Sequence, residues 1–480
     1  MDRAWPEDPV PTAHSPFHSP SLSARRPLPM RFTNLASHPD IGSNSYLLEL
    51  GETRLILDAG THPKHTGRDT LPRYEMLPPD SVDGILLSHP HLDHIGALPV
   101  LMREQPGAAV VMTRLTREHG DVLLHNSVNV MKAQREELNE PLYPLYSHGQ
   151  VESCVHRWMV REPGQAFSLG ERDRVSVEFF RAGHVLGAVG MKIEAQGHRI
   201  FYTGDVHFED QTITRGADFP SDAVDTLLIE TTRGDHQRDP GYTREAERKR
   251  LGAILRAVIE GGGSVLIPVF AFGKTQELLL LLKELMEEGA IPSVPVHIGG
   301  LSTKMTEVTD RHCDHPDRLH RGVQILRDFS ELRVLVRGRD PDLRPGEIYA
   351  LSSGMMSEHT VSHRFARRIL ASEKNAILFV GYADADAPGG RILAAGQGGR
   401  VALSSTSPHE SEIRCSVERF DFSGHAPREQ LADYAVACRP KTVLLVHGDE
   451  AARRWFLEEL GRRLPGSRIL IPVPGQMIDL

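Results

Sequence analysis

An apolar run ends in a knot of side chains that favour metals: Gly84-Ile85-Leu86-Leu87 leads directly into Ser88-His89-Pro90-His91-Leu92-Asp93-His94. Three imidazoles and one carboxylate fall within six residues. A chain with this turn must fold so that the end of one strand delivers several donors to one place. Neutral imidazole and carboxylate are the donors that borderline metals such as zinc accept. On an extended segment His89 and His91 project the same way, while Asp93 and His94 turn back into an opening helix. One metal suits the first pair and a second metal suits the other.

With 480 residues the chain has material for two or more domains. Its net charge of -9 excludes a chain-wide electrostatic footprint for nucleic acid. A phosphate-bearing substrate would therefore rely on a local basic cleft or on the metals. The four cysteines form no CxxC pair, so they read as small buried hydrophobes of a reducing, cytoplasmic protein. No apolar run is long enough for a membrane helix. Residues 1–29 are rich in Pro, Ser, His and Arg, lack the apolar core of a signal peptide, and are expected to form a disordered tail.

Structure is expected from Met30. Segments 45–50 and 54–58 read as a strand pair across Gly51-Glu52. Gly84–Leu87 is another strand, followed by a helix with Leu98, Leu101 and Met102 on one face. Residues 115–140 read as helix, and 175–180, 190–194 and 199–202 as strands. A second pattern starts after Glu230: a helix near 243–260, the strand 264–269, and an apolar helix opening at Gly273-Lys274-Thr275. The last 60 or so residues return to the first style, each strand ending in a His-bearing turn and a helix. The whole predicts a layered α/β body interrupted by a parallel α/β unit.

Four further motifs put an acid or imidazole at the end of an apolar strand: Leu57-Asp58-Ala59-Gly60, Ala182-Gly183-His184, Thr203-Gly204-Asp205 and Val446-His447-Gly448. Strand ends of such a body converge along one edge, so these groups can meet.

The order Asp58, His89-x-His91-x-Asp93-His94, His184, Asp205 resembles the metallo-β-lactamase superfamily. Glu230-Thr231-Thr232, the run from Ile267 to Leu278, Ser352-Ser353-Gly354-Met355-Met356, Phe422-Ser423-Gly424-His425 and Val446-His447-Gly448 narrow the resemblance to its β-CASP branch. That branch contains nucleases related to the mRNA 3′-end cleavage factor and bacterial RNase J. The resemblance implies an αββα sandwich (30–232 and 416–480) with an inserted β-CASP α/β domain (233–415) covering it like a lid. It implies two Zn2+: His89, His91 and His184 on one, Asp93, His94 and His447 on the other, and Asp205 between them. Asp58 would orient a ligand imidazole. Glu230 and His425 would form the carboxylate–imidazole pair that protonates the leaving oxygen. The implied activity is hydrolysis of single-stranded RNA by a two-metal hydroxide mechanism, with Lys274, Ser352, Ser353 and Gly354 meeting substrate phosphate.

Rival readings are a DNA nuclease of the same fold, a small-molecule metallo-hydrolase and a non-catalytic RNA-binding subunit. DNA-repair members usually lack a histidine matching His447, the insert argues against small substrates, and no expected ligand is missing. No membrane partner is expected, and a homodimer is left open. Gly381-Tyr382-Ala383-Asp384-Ala385-Asp386-Ala387-Pro388 departs from the Glu-Gly-Thr that relatives commonly show after Gly-Tyr, which bears on the substrate path. Met355 and Met356 read as core filler, and the basic run 363–368 as a solvated helix face.

Overall fold

The computed structural model describes residues 29–170, 174–336, 340–358, 360–404 and 409–480. The expected tail 1–29 lies outside the described residues except for Pro29. Tyr46–Leu50 and Thr53–Leu57 pair antiparallel with Leu50 opposite Thr53. Gly51 turns the hairpin at φ 71, a conformation that glycine adopts without steric cost. In Val175–Arg181 the buried Val175, Val177 and Phe179 alternate with partly exposed Ser176 and Glu178, the period of a strand with one wet face.

These strands belong to two seven-stranded sheets. The first runs Met477–Asp479, Met30–Asn34, Tyr46–Leu50, Thr53–Leu57, Gly84–Leu86, Ala109–Met112, Trp158–Val160. The second runs Arg468–Leu470, Thr442–Val446, Thr226–Glu230, His198–Tyr202, Val189–Ala195, Val175–Arg181, Phe167–Leu169. Phe32, Leu48 and Leu57 of the first sheet share one core with Phe179, Met191, Leu228 and Leu444 of the second. The outer face of the first sheet buries Ile85 and Val110 with Leu101 and Leu124 of flanking helices. On the outer face of the second, Leu227 and Leu445 pack with Leu431 and Phe456. This is the αββα sandwich expected.

A six-stranded sheet is inserted: Leu332–Val334, Val296–Ile298, Ile348–Leu351, Val265–Pro268, Ala376–Phe379, Ser416–Arg419. Every pairing in it is parallel. Parallel strands are covered on both faces, which is why they read as unbroken apolar runs. Leu255, Leu279 and Leu282 cover one face, and Phe365, Ile369 and Ile392 the other. The chain leaves the second sheet after Glu230 and rejoins it at Thr442–Val446, the adjacent parallel strand, with Glu230 opposite Val446. The insert thus springs from neighbouring strands whose ends carry Glu230 and His447. Among the described residues no helix is long and apolar enough to cross a membrane.

Two features differ from the periodicity reading. The helix expected after His94 is split into Leu92–Ile95 and Leu98–Glu104. Its backbone is claimed by the Asp58 turn instead: Ala59 N–H donates to the His94 carbonyl at 2.7 Å and Ala97 N–H to the Ala59 carbonyl at 2.8 Å. Gly60 is required here, since a Cβ would lie 1.7 Å from the Asp93 carbonyl oxygen. The final strand, Met477–Asp479, is too short to show periodicity and exists by pairing with Met30–Asn34.

Leu444 is fully buried between the two sheets on the strand that delivers His447. Leu444→Ala should cost about 2–5 kcal/mol, read as a lower urea midpoint at unchanged slope.

Candidate metal centre

The ligand candidates collect where the strands of the two facing sheets end. His89, His91, His184 and Asp205 each offer one ligand atom, all within 4.8 Å of one another, and so do Asp93, His94 and His447. A third such group is Asp205, Glu230 and His425. His91 Nδ1 lies 3.1 Å from His89 Nε2 and 3.2 Å from His184 Nε2. Three ring nitrogens aimed at one point suit a cation better than one another. Asp205 reaches both sets: Oδ2 is 3.5 Å from His89 and 3.7 Å from His184, and Oδ1 is 3.4 Å from His94 and 3.3 Å from His447. His447 Nε2 lies 3.3 Å from Asp93 Oδ2.

The backbone is strained to achieve this. Asp58 and His447 take φ 58 and 46 directly after strands, a left-handed region that residues other than glycine seldom adopt. Such strain costs about 1–3 kcal/mol and persists where surrounding structure over-determines it. For Asp58 the surroundings are visible. Its Oδ2 takes the Tyr202 hydroxyl at 2.6 Å, the Ser88 hydroxyl at 2.7 Å and His94 Nδ1 at 2.7 Å, and its Oδ1 accepts the Ser88 N–H at 2.7 Å. With Nδ1 held by Asp58, His94 presents Nε2 to the cluster. The Gly424 carbonyl does the same for His184, accepting from Nδ1 at 2.8 Å and leaving Nε2 free to ligate. Such partners fix ring orientation in metal sites.

Charge is sorted across the cluster. Burial, reinforced by neighbouring imidazoles, pushes His89 and His184 well below the ordinary imidazole range. Burial brings His91 to about 4 although Asp93 opposes it. These rings are neutral, as ligands must be. Around His94 burial is outweighed by Asp205, Asp93 and Asp58, which lift it to about 10. That corner demands positive charge, as a proton or as a cation on Nε2. Burial raises Asp205 even though His447, His94 and His425 draw it down. Its Oδ1 is buried without a hydrogen-bond donor. An unsatisfied buried carboxylate oxygen is costly, and a cation would satisfy it. The donor set therefore fits the metals that the sequence implied.

Beside this lies Glu230, fully buried. Oε1 accepts the Val206 N–H at 2.6 Å, Oε2 the Thr232 hydroxyl at 2.5 Å, and His425 Nδ1 stands 3.1 and 3.0 Å from the two oxygens. Burial works against the charged form of both partners, yet their mutual attraction wins. Glu230 falls to about 2 and His425 rises. His425 Nε2 faces Asp205 Oδ2 at 3.9 Å.

The substrate candidates sit elsewhere. Lys274 Nζ donates to the Phe422 carbonyl and, at 3.3 Å, to Gln211 Oε1. Burial lowers it to about 8. The Ser353 hydroxyl bonds the Ser357 N–H at 3.0 Å, and the Ser352 carbonyl accepts from Ser362 N–H at 3.2 Å. Lys274 and Gly354 line one cavity. In the basic run, Arg364 pairs with Asp340 at 2.8 Å and Arg368 with the Pro341 carbonyl at 2.8 Å. Met356 is fully buried. Residues that sequence reasoning passed over are Ser88, Tyr202 and Thr232. Tyr202 carried a signal: a tyrosine ending a buried strand must find a partner for its hydroxyl.

Known proteins resemble this chain over most of its length. The family described as the metallo-beta-lactamase superfamily matches residues 38–256. The Beta-Casp domain matches 275–392, and the Zn-dependent metallo-hydrolase RNA specificity domain matches 410–472. The chain belongs to the metallo-β-lactamase superfamily. It is similar to cleavage and polyadenylation specificity factor 73 of Drosophila melanogaster, 28% identical over 87% of this chain and 59% of that protein. It is also similar to transcription termination factor FttA of Methanothermobacter thermautotrophicus, 28% identical over 87% of this chain and 67% of the other. Probable RNase MJ4 of Methanocaldococcus jannaschii is 26% identical over 87% of this chain and 94% of the other. Within the superfamily the chain is a member of the β-CASP branch. It spans little more than half of the fly relative and of the yeast protein named endoribonuclease YSH1, at 59% and 55%. A crystal structure of a protein of unknown function from Enterococcus faecalis shares the fold, with a TM-score of 0.56 at 14% identity over 94% of this chain and 100% of that one.

Removing the carboxylate that aims His94 should loosen the centre without touching a ligand. Asp58→Asn is expected to weaken divalent-metal affinity about 10–100-fold, measured by competition with a chromogenic chelator.

Proposed function

We propose that the protein is a zinc-dependent ribonuclease that hydrolyses phosphodiester bonds of single-stranded RNA, in RNA processing or decay. The observation carrying this reading is one shared carboxylate, Asp205, joining two ligand groups beside a buried Glu230–His425 pair. His89, His91 and His184 would hold one zinc and Asp93, His94 and His447 the other, with Asp205 within reach of both groups. Two such ions, when bound, supply a hydroxide at neutral pH and positive charge for the phosphate.

The chain's own groups do the rest. Asp58, Ser88 and Tyr202 hold His94 in register, and the Gly424 carbonyl holds His184. Glu230 keeps a proton on His425 and orients the ring, so that Nε2 can pass that proton to the departing sugar oxygen. Such help is typically worth about 10²–10⁴ in rate. Lys274 and the turn Ser352-Ser353-Gly354 meet phosphate charge along the cleft. The sandwich, 30–232 and the residues after Arg419, is the catalytic body and the insert between them its lid; Ser416–Arg419, expected in the sandwich, pairs within the inserted sheet. RNA as substrate is supported by the RNA specificity domain match over 410–472 and by relatives whose names are those of RNA-processing factors.

Incubation with 5′-labelled single-stranded RNA should give shortened products, none with chelator, and far fewer from the matching DNA. Preferential cutting of DNA would reassign the substrate. Asp93→Ala and His447→Ala should abolish cleavage while the circular dichroism spectrum and melting transition persist; full activity in either refutes the assignment. His425→Ala should slow cleavage about 10²–10⁴-fold at unchanged zinc content; loss of zinc would make it a ligand instead.

A further inference from the structure

The turn from Gly381 to Pro388 has no part in the ligand chemistry. Within it, Tyr382 is 53% exposed. A lone surface tyrosine needs no explanation, but this one is not on open surface. It borders a small depression, with room for no more than about one water, together with Phe270, Lys274, Gly354 and Phe379. The depression lies past the C-terminal ends of the parallel strands Val265–Pro268 and Ala376–Phe379, where open α/β sheets take their ligands. Its walls are aromatic and Lys274 supplies a cation. Gln211 accepts from that lysine at 3.3 Å and donates to the His184 carbonyl at 2.9 Å, which links this edge to the ligand cluster.

The ring of Tyr382 is held rather than loose. Its hydroxyl donates to Asp384 Oδ2 at 3.2 Å. The same oxygen takes Lys64 Nζ at 2.8 Å, from the loop after Thr53–Leu57 in the sandwich. Asp384 is itself only 7% exposed, and its Oδ1 accepts the Asp386 N–H at 2.9 Å. One buried carboxylate thus ties insert to sandwich and fixes the ring at the mouth of the cleft. With its polar end occupied, the side chain offers an apolar face. A flat, uncharged ring can lie on that face.

We propose that Tyr382 is a stacking platform for one nucleobase of the RNA strand, offering the exposed face of its ring at the mouth of the cleft. This rests on the ribonuclease reading. Every base has a π-face, so the site fixes the strand without selecting a sequence.

Rapid mixing of metal-loaded full-length protein with single-stranded RNA carrying 2-aminopurine at successive positions reads stacking as quenching before cleavage. Quenching should peak at one position. Tyr382→Ala should abolish that peak and raise Kd roughly 5- to 150-fold, and Tyr382→Trp should restore both. An abasic nucleotide at that position should weaken binding to the wild type by a similar factor and cost the Tyr382→Ala variant nothing more. Equal quenching and equal Kd for wild type and Tyr382→Ala overturn the proposal, as does an abasic penalty that is the same in both. If that happens while the wild type still cleaves RNA, only the stacking site falls. If the wild type neither binds nor cleaves RNA, the ribonuclease reading falls with it.

Discussion

The carboxylate of Asp58 holds together what the rest of the structure depends on. It receives Ser88 and His94 from the edge of the first sheet and Tyr202 from the second. The two sheets are otherwise joined largely by apolar contact, which is strong but indifferent to small slides. Directional bonds to a fully buried charge are not indifferent. They fix the strand ends of one sheet against those of the other to within the tolerance of a hydrogen bond, and ligand groups from both sheets then meet. The left-handed backbone at Asp58 and His447 shows that local conformational preference yields to this requirement.

Burying so many ionisable groups together is unfavourable unless each is compensated. The cluster compensates by pairing: Asp58 with His94, Glu230 with His425, Asp93 with His447. Asp205 is the exception. It lies within 3.9 Å of five imidazoles without a donor on Oδ1. Such a donor arrangement suits cations. The insert extends the same logic outward. Lys64 pairs with Asp384, so the insert is registered on the sandwich by a charge pair as the sheets are by Asp58.

Much of this was legible beforehand because donors at strand ends leave a local mark. An apolar run followed by His, Asp and Gly marks both the strand and its terminus, and that signal found every residue of the two ligand groups. The parallel insert was legible from unbroken apolar runs such as Val265-Leu266-Ile267. Less was legible where a residue's role comes from a partner far along the chain. Ser88 looks like any polar residue in a turn, and Thr232 like a neighbour of Glu230. The Gly424 carbonyl has no side chain to read. The helix after His94 was expected whole because periodicity knows nothing of the Asp58 turn that takes its hydrogen bonds. For Lys274, the sequence offered a cation in a loop, and the structure commits much of it to the Phe422 carbonyl and Gln211.

The order and chemical type of the donors, the alternation that sets two sheets face to face, and the place where a second α/β unit interrupts the first all follow from the amino-acid sequence, because each is written within a few consecutive residues. The tertiary structure alone decides which nitrogen of each imidazole faces inward, that Asp205 is shared, that Tyr202 secures Asp58 and that Asp384 aims Tyr382. Those facts depend on distances of a few ångströms, most of them between residues far apart along the chain, and only the packed chain sets such distances.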